Sequence, residues 1–282
     1  MIRPSSFIRR KTIDITVKTV ASISAVSGIL VLLWILWIVF QKGFSAWNIP
    51  FFTEVPTPPG VIGGGLANAI TGTVIISLIA TLIGVPFGLM TGIYLAEFGT
   101  NTRLGKAVRF TITVTMGVPS IIVGLFIYTI MVLPSGHFSA YAGAAALAVI
   151  MFPIVSRTTE DMLSLVPNSL REAALAIGVP RWKATIFIVM KAARSGLLTG
   201  ILLAVARISG ETAPILFTAM NSQFWMNSLN EPVANLTVTI YNYAMSPYDD
   251  WQSIAWGAAL LILCTVLILN IGARFFLREA KR

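Results

Sequence analysis

Cysteine and histidine, which supply much of the metal-binding and nucleophilic chemistry of proteins, occur once each, as Cys264 and His137. One cysteine cannot close an internal disulfide, and Cys264 lies in an apolar run where packing accounts for it. One His and one Cys make neither a clustered metal site nor a Cys–His pair, so no metal and no catalytic residue are expected. His137 falls in a turn with no matched nucleophile motif. Charge is also scarce: 11% of residues are charged, against about 25% in a soluble domain. The nearest approach to a phosphate loop, Gly99 to Ala107, is one residue too long and carries Ala107 where Ser or Thr is required. The chain itself is therefore expected to bind no ATP.

Apolar length fills the space. Hydrophobic residues make up 56% of the chain and the mean hydropathy is +0.83. Crossing a bilayer takes ~20 apolar residues, and six segments qualify: Val20–Phe40, Leu66–Leu95, Val108–Leu133, Ala140–Ser156, Gly196–Met220 and Ile254–Phe276. The expectation is an all-α integral membrane protein of six transmembrane helices. The second span is over-long and the fourth short. Trp34, Trp37 and the length of the first run favour a retained span over a cleaved signal. Between the first two spans, Pro56, Pro58, Pro59, Gly60 and Gly63 to Gly65 read as a rigid and then flexible lead. The organisation expected is a tail (1–19), a first span with outer loop (20–65), a core (66–277) and a short C-terminal tail (278–282).

The net charge of +9 is a topology signal rather than a nucleic-acid footprint. Eighteen of the 20 basic residues fall in the N-terminus, the 2–3 and 4–5 loops, and the C-terminus. The other side holds Lys42 with Glu54, Glu231, Asp249 and Asp250. By the positive-inside rule both termini and the 4–5 loop are cytoplasmic. Lys42 and Trp47 suit the outer interface. Phe224, Trp225, Trp251 and Trp256 in the long 5–6 connection read as interfacial packing.

The 4–5 loop contains one organised polar stretch, Ser169 to Gly178. Ser169 and Glu172 have the S-x-x-E spacing of a capping box, which predicts a helix starting there. Leu170, Ala173, Ala174 and Ile177 recur at i, i+3, i+4 and i+7, giving one apolar stripe. Ala173 and Ala174 are small enough for close approach of a partner. Gly178 supplies the stop, and Pro180 cannot continue the helix.

That stretch resembles the EAA loop of bacterial ABC-importer permeases, roughly EAA-x3-G-x9-I-x-L-P. Here it reads Glu172-Ala173-Ala174, Gly178 and Ile188, with Met190-Lys191 replacing the closing Leu-Pro. The loop as a whole runs 168–191. Further segments are similar to the phosphate-transport branch of that family. They include Gly92 to Glu97, Pro119 to Leu125, Arg157 to Glu160, Ala206 to Pro214 and Ala244 to Pro247. The resemblance implies a type I ABC importer permease fold with a cytoplasmic coupling helix, in the bacterial inner membrane. It implies a core of five spans with span 1 peripheral, paired with a second related permease (PstC-like). It also implies two copies of a cytosolic ATPase (PstB-like) that bring ATP and Mg, and an external phosphate-binding protein (PstS-like). Ser169, Arg171, Glu172, Ala173, Ala174 and Gly178 would couple to the ATPases.

Within span 5, Arg207 and Glu211 stand at i, i+4, on one helical face. A charge in mid-membrane costs roughly 2.5–3.5 kcal/mol on insertion scales, so it needs a reason. Either the two neutralise each other within the bundle, or Arg207 faces the pathway and attracts an anion. A guanidinium matches a pair of phosphate oxygens. Glu211 would then hold Arg207 or accept a hydrogen bond from a protonated phosphate. Ser209 and Thr212 are hydroxyl donors nearby, although such residues also bond their own helix backbone. Gly84, Gly88 and Gly92 in span 2, and Gly196 and Gly200 in span 5, make small-residue packing faces. Pro86, Pro119, Pro153 and Pro214 interrupt four spans. An importer of molybdate or sulfate, or a secondary anion transporter, shares much of this pattern. The latter would have no use for an ATPase-docking helix.

Overall fold

A computed structural model describes residues 4–61 and 63–279; Arg3, Lys281 and Arg282, counted above among the terminal charges, lie outside the described residues. The described backbone is helical throughout, joined by turns and short irregular segments. Among the described residues five helices are long and apolar enough to cross a membrane, or six spans if one sharply bent pair counts as one.

Helix α1 (Pro4–Ser45) is far longer than its predicted apolar run. It touches the rest of the chain mainly through the last helix, and the apolar window within it is unburied. At its end Gly43 lies against Leu260 and Trp256, and Lys42 sits over the Trp256 ring. A one-turn helix, Ile49–Thr53, follows. The glycines after it are not a flexible lead: Gly64 and Gly65 are buried. A methyl group on Gly65 would lie 2.0 Å from the Pro50 carbonyl oxygen.

Helix α2 (Ala67–Ile93) runs on through a π-helical turn, Tyr94–Phe98. Its Gly84, Gly88 and Gly92 face Met151, Val155 and Thr159 of α5 (Ala140–Ser164). A methyl group on Gly88 would stand 2.7 Å from the Val155 Cβ, and one on Gly92 2.5 Å from the Thr159 Cβ. In lipid no hydrophobic force drives apolar helices together, so close packing of small residues must do so. The same central helix meets Gly196 through Met162 and Gly200 through Thr158. Helix α5 is thus packed on two sides. It is eight residues longer than the predicted fourth span and ends at Ser164, because Arg157, Glu160 and Asp161 pair with one another and with Arg109 instead of ending the helix.

The third span is broken. Helix α3 (Arg103–Gly117) and the segment Ser120–Ser135, which opens with α4 (Ser120–Ile127), diverge by 103°. Pro119 lacks an N–H and forces its predecessor, Val118, out of the helical region, to ψ 129°. Helix α6 (Asn168–Ala176) fills the 4–5 loop. A continuous helical run, Arg181–Ile208, follows, with a π turn at Thr185–Val189 and α7 (Met190–Ile208) at its end. Where the family pattern has Leu-Pro, Met190-Lys191 let this helix pass unbroken. The predicted fifth span, Gly196–Met220, instead ends at Ile208 and resumes as one short turn, Ala213–Leu216.

The 5–6 connection is not merely interfacial. Its helix α8 (Leu236–Ala244) packs into the core, with Val238 and Thr239 buried. Its start is satisfied by side chains: Asn235 accepts from the Thr237 N–H, and Thr73 of α2 accepts from the Leu236 N–H at 2.9 Å. Helix α9 (Asp249–Glu279) closes the chain, stacking Trp251 on Tyr243 at 4.3 Å between ring centres.

Candidate functional site

Arg207 occupies the last turn of α7, not mid-span. The helix closes immediately after it, with the Gly210 N–H donating to the Arg207 carbonyl and the Glu211 N–H to the Ile208 carbonyl. Glu211 therefore lies beyond the helix end, and the pair is not carried on one helical face. The carboxylate stands 3.9 Å from Arg207 Nη2, a loose contact, and the Arg207 side chain is 62% exposed while that of Glu211 is 16% exposed. The two do form an ion pair, but a long one that leaves the Arg207 side chain room for a second partner. Glu211 is fixed through its backbone, whose carbonyl accepts from Thr237 Oγ1 at 2.8 Å. Ser209 spends its hydroxyl on the Val205 carbonyl at 2.8 Å. Thr212 precedes the short turn Ala213–Leu216 without capping it. The four predicted residues are thus gathered at one break, with different degrees of freedom.

Arg207 opens onto a cavity of about 230 Å³ with Thr115, Val118, Pro119, Ser120 and Pro153. Three interruptions meet there: the kink at Pro119, the proline inside α5, and the end of α7. Broken helices expose backbone polar groups, and in a membrane such breaks are tolerated where they line a cavity or are buried in protein. The guanidinium is the cavity's one charged lining group.

The second group of predicted residues builds α6. The capping box is absent: the helix starts at Asn168, the preceding Pro167 makes no side-chain cap, and Ser169 is the second helical residue. Pro167, with φ −59° and ψ 140°, already turns the chain into the helix, two residues before Ser169 could. The stop is as predicted. Gly178 has φ +80°. Its N–H donates to the Leu175 carbonyl at 3.0 Å, and the Val179 N–H donates to the Ala174 carbonyl at 3.2 Å. These two bonds form a Schellman motif. The predicted apolar stripe divides: Ala174 is buried against the chain, while Leu170, Ala173 and Ile177 are exposed, as is Glu172.

Arg171 points inward. It is held by Glu97 at 2.7 Å, with both side chains largely buried, and donates to the Leu163 carbonyl at 2.7 Å and to the Val166 carbonyl. Nearby, Arg109 pairs with Glu160 and donates to the Leu95 carbonyl at 2.8 Å. Sequence reasoning assigned no role to Glu97, Arg109 or Glu160. The available signal was the rarity of acidic residues among so many basic ones: Glu97, Glu160 and Asp161 each meet an arginine.

Residues 84–282 match the family described as binding-protein-dependent transport system inner membrane component. The chain belongs to that family: it is a transport subunit, a multi-pass protein of the inner membrane. It is 53% identical over 240 residues to the phosphate transport system permease protein PstA of Yersinia pestis, covering 85% of this chain and 81% of that protein. It is 46% identical over 274 residues to PstA of Xylella fastidiosa (strain 9a5c), covering 97% and 95%. Among solved structures, a chain of the bacterial alginate ABC transporter, in complex with its alginate pentasaccharide-bound periplasmic protein, aligns over 99% of both chains. Its TM-score is 0.67 at 14% identity, a likeness of fold: that of the type I ABC importer permeases.

Proposed function

We propose that this chain is the permease subunit of an ATP-driven importer of inorganic phosphate, forming half of the translocation pathway. The observation that carries the reading is the position of Arg207. It is an exposed guanidinium at a helix end, open to a cavity where two helix breaks and the proline inside α5 come together. The name shared by the relatives supports phosphate as the anion. A guanidinium presents parallel N–H donors to two phosphate oxygens, and a low-dielectric wall strengthens that contact. Glu211, fixed through its carbonyl and loosely placed beside Arg207, would accept a hydrogen bond from a protonated phosphate and so favour phosphate over sulfate.

The energy would enter from outside the chain. Helix α6, with Leu170, Glu172, Ala173 and Ile177 exposed, would dock in one of two ATPase subunits that bring ATP and Mg, since no phosphate loop is found in this sequence. A second related permease would complete the pathway, and an external phosphate-binding protein would deliver substrate. Both termini and α6 would face the cytoplasm, as the distribution of Lys and Arg requires.

The test is phosphate uptake by the assembled complex in proteoliposomes. Arg207→Ala should lower uptake by about 10-fold or more, with the ATPase and second permease still copurifying. Arg207→Lys should fall between, because an ammonium lacks the planar fork. Normal uptake by Arg207→Ala would remove the pathway assignment.

A further inference from the structure

We infer that Glu97 and Arg171 form a latch that ties α6 to the end of α2, and that α3 carries displacement of α6 to the Arg207 cavity. This rests on the reading of α6 as the ATPase-docking helix and goes beyond it. The latch is built on the π-helical turn Tyr94–Phe98. The Glu97 carboxylate receives Arg171 Nη2 at 2.7 Å and Nε at 3.0 Å. Its side chain is 7% exposed and that of Arg171 is 19% exposed. The same guanidinium binds the Leu163 and Val166 carbonyls at the end of α5. Arg181, which begins the helical run leading to α7, donates to the Glu97 carbonyl at 3.2 Å. One carboxylate-bearing turn therefore joins four pieces of chain: α2, the end of α5, α6 and the lead into α7.

The turn is gripped from its other side by α3. Arg109 donates to the Leu95 carbonyl at 2.8 Å and to the Gly99 carbonyl at 3.3 Å, and pairs with Glu160 of α5. Six residues further along α3, roughly 9 Å at 1.5 Å per residue, Thr115 and Met116 line the Arg207 cavity. Helix α3 then ends at the 103° break. A helix held near its middle by the Arg109–Glu160 pair and released at a proline at its end acts as a lever whose arm reaches the cavity. Breaking a buried pair by removing one partner leaves a charge without compensation, so α6 and the turn should move together rather than separate. Glu97, Arg171 and Arg109 are positioning residues in this scheme, acting on Arg207 through α3.

The experiment uses the complete transporter in proteoliposomes. The permease carries C264A, which removes its one cysteine, and M116C bearing a fluorophore beside the cavity. Phosphate uptake per ATP hydrolysed, copurification of the ATPase, and the ATP-dependent change in fluorescence are measured for the parent, E97Q, R171Q and the double variant. The expected result is that E97Q retains its ATPase, loses about tenfold in uptake per ATP and loses the fluorescence change. The double variant should be no worse than either single one, since both remove the same latch. Should E97Q fail to assemble, R171K is decisive. It keeps the charge but not the two-pronged grip, and should assemble with reduced uptake per ATP. The latch is overturned if E97Q, or R171K in its place, transports and responds to ATP like the parent, or if the two single losses add. A parent complex that takes up no phosphate or holds no ATPase would instead overturn the functional reading on which the latch depends.

Discussion

Arg207 and Gly178 show how differently a single residue can matter. Arg207 stands out for its side chain, which makes one long ion pair of 3.9 Å and is otherwise mostly open. Gly178 is useful because of its backbone. Its φ of +80° lies in the left-handed region, and nothing stands within 4 Å of where a Cβ would be. Gly178→Ala therefore adds a Cβ that meets nothing and costs only conformational strain, about 1–2 kcal/mol. We expect the variant to assemble less well with the ATPase, read by copurification, because α6 loses its Schellman stop and the exit toward Pro180 is redirected. Unaltered copurification and uptake would show that the stop is not required. Of the candidate site residues, Gly178 was legible from residue type and spacing as the stop of α6. Ser169 was misread, since Pro167 starts the helix before a cap can act, and Arg171 was placed on the docking surface although its partner, Glu97, is 74 positions away in sequence.

Among the elements, α5 organises the rest. Glycines of α2 and α7 press on it at Met151, Val155, Thr159, Met162 and Thr158, and its Glu160 closes the charge network at one end. Gly88→Leu should force α2 off α5, at a cost of about 1–3 kcal/mol for overpacking, seen as a lower melting temperature of the detergent-solubilised protein. Gly28→Leu on α1, where nothing stands within 4 Å, is the matched control and should not move it. The span positions of α1, α2 and α9 follow from apolar runs, which are legible because a bilayer demands them. The break in the third span and the end of α7 at Ile208 were not legible as breaks. Apolar residues resume on both sides of Pro119 and of the Arg207-to-Glu211 stretch, and only packing decides whether a proline or a Ser-Gly pair bends a helix or ends it.

For the whole molecule, orientation is the property most open to direct test. In the C264A background, a cysteine at Glu172 should react with a membrane-impermeant maleimide only after the membrane is opened. A cysteine at Phe224, which is 78% exposed in the outer connection, should react in intact spheroplasts. The reverse pattern would invert the assignment of both ends. Composition and the length of the apolar runs by themselves determine that this chain is a helical membrane protein, and the one-sided placement of Lys and Arg predicts its orientation. Those are constraints set by the solvent, and every residue feels them independently of its neighbours. Tertiary structure alone decided that α8 enters the core, that Glu211 stands off from Arg207, and that Arg171 turns inward to Glu97. Each depends on where chain segments distant in sequence come to rest, and contacts of that kind leave no periodic trace in the residues that make them.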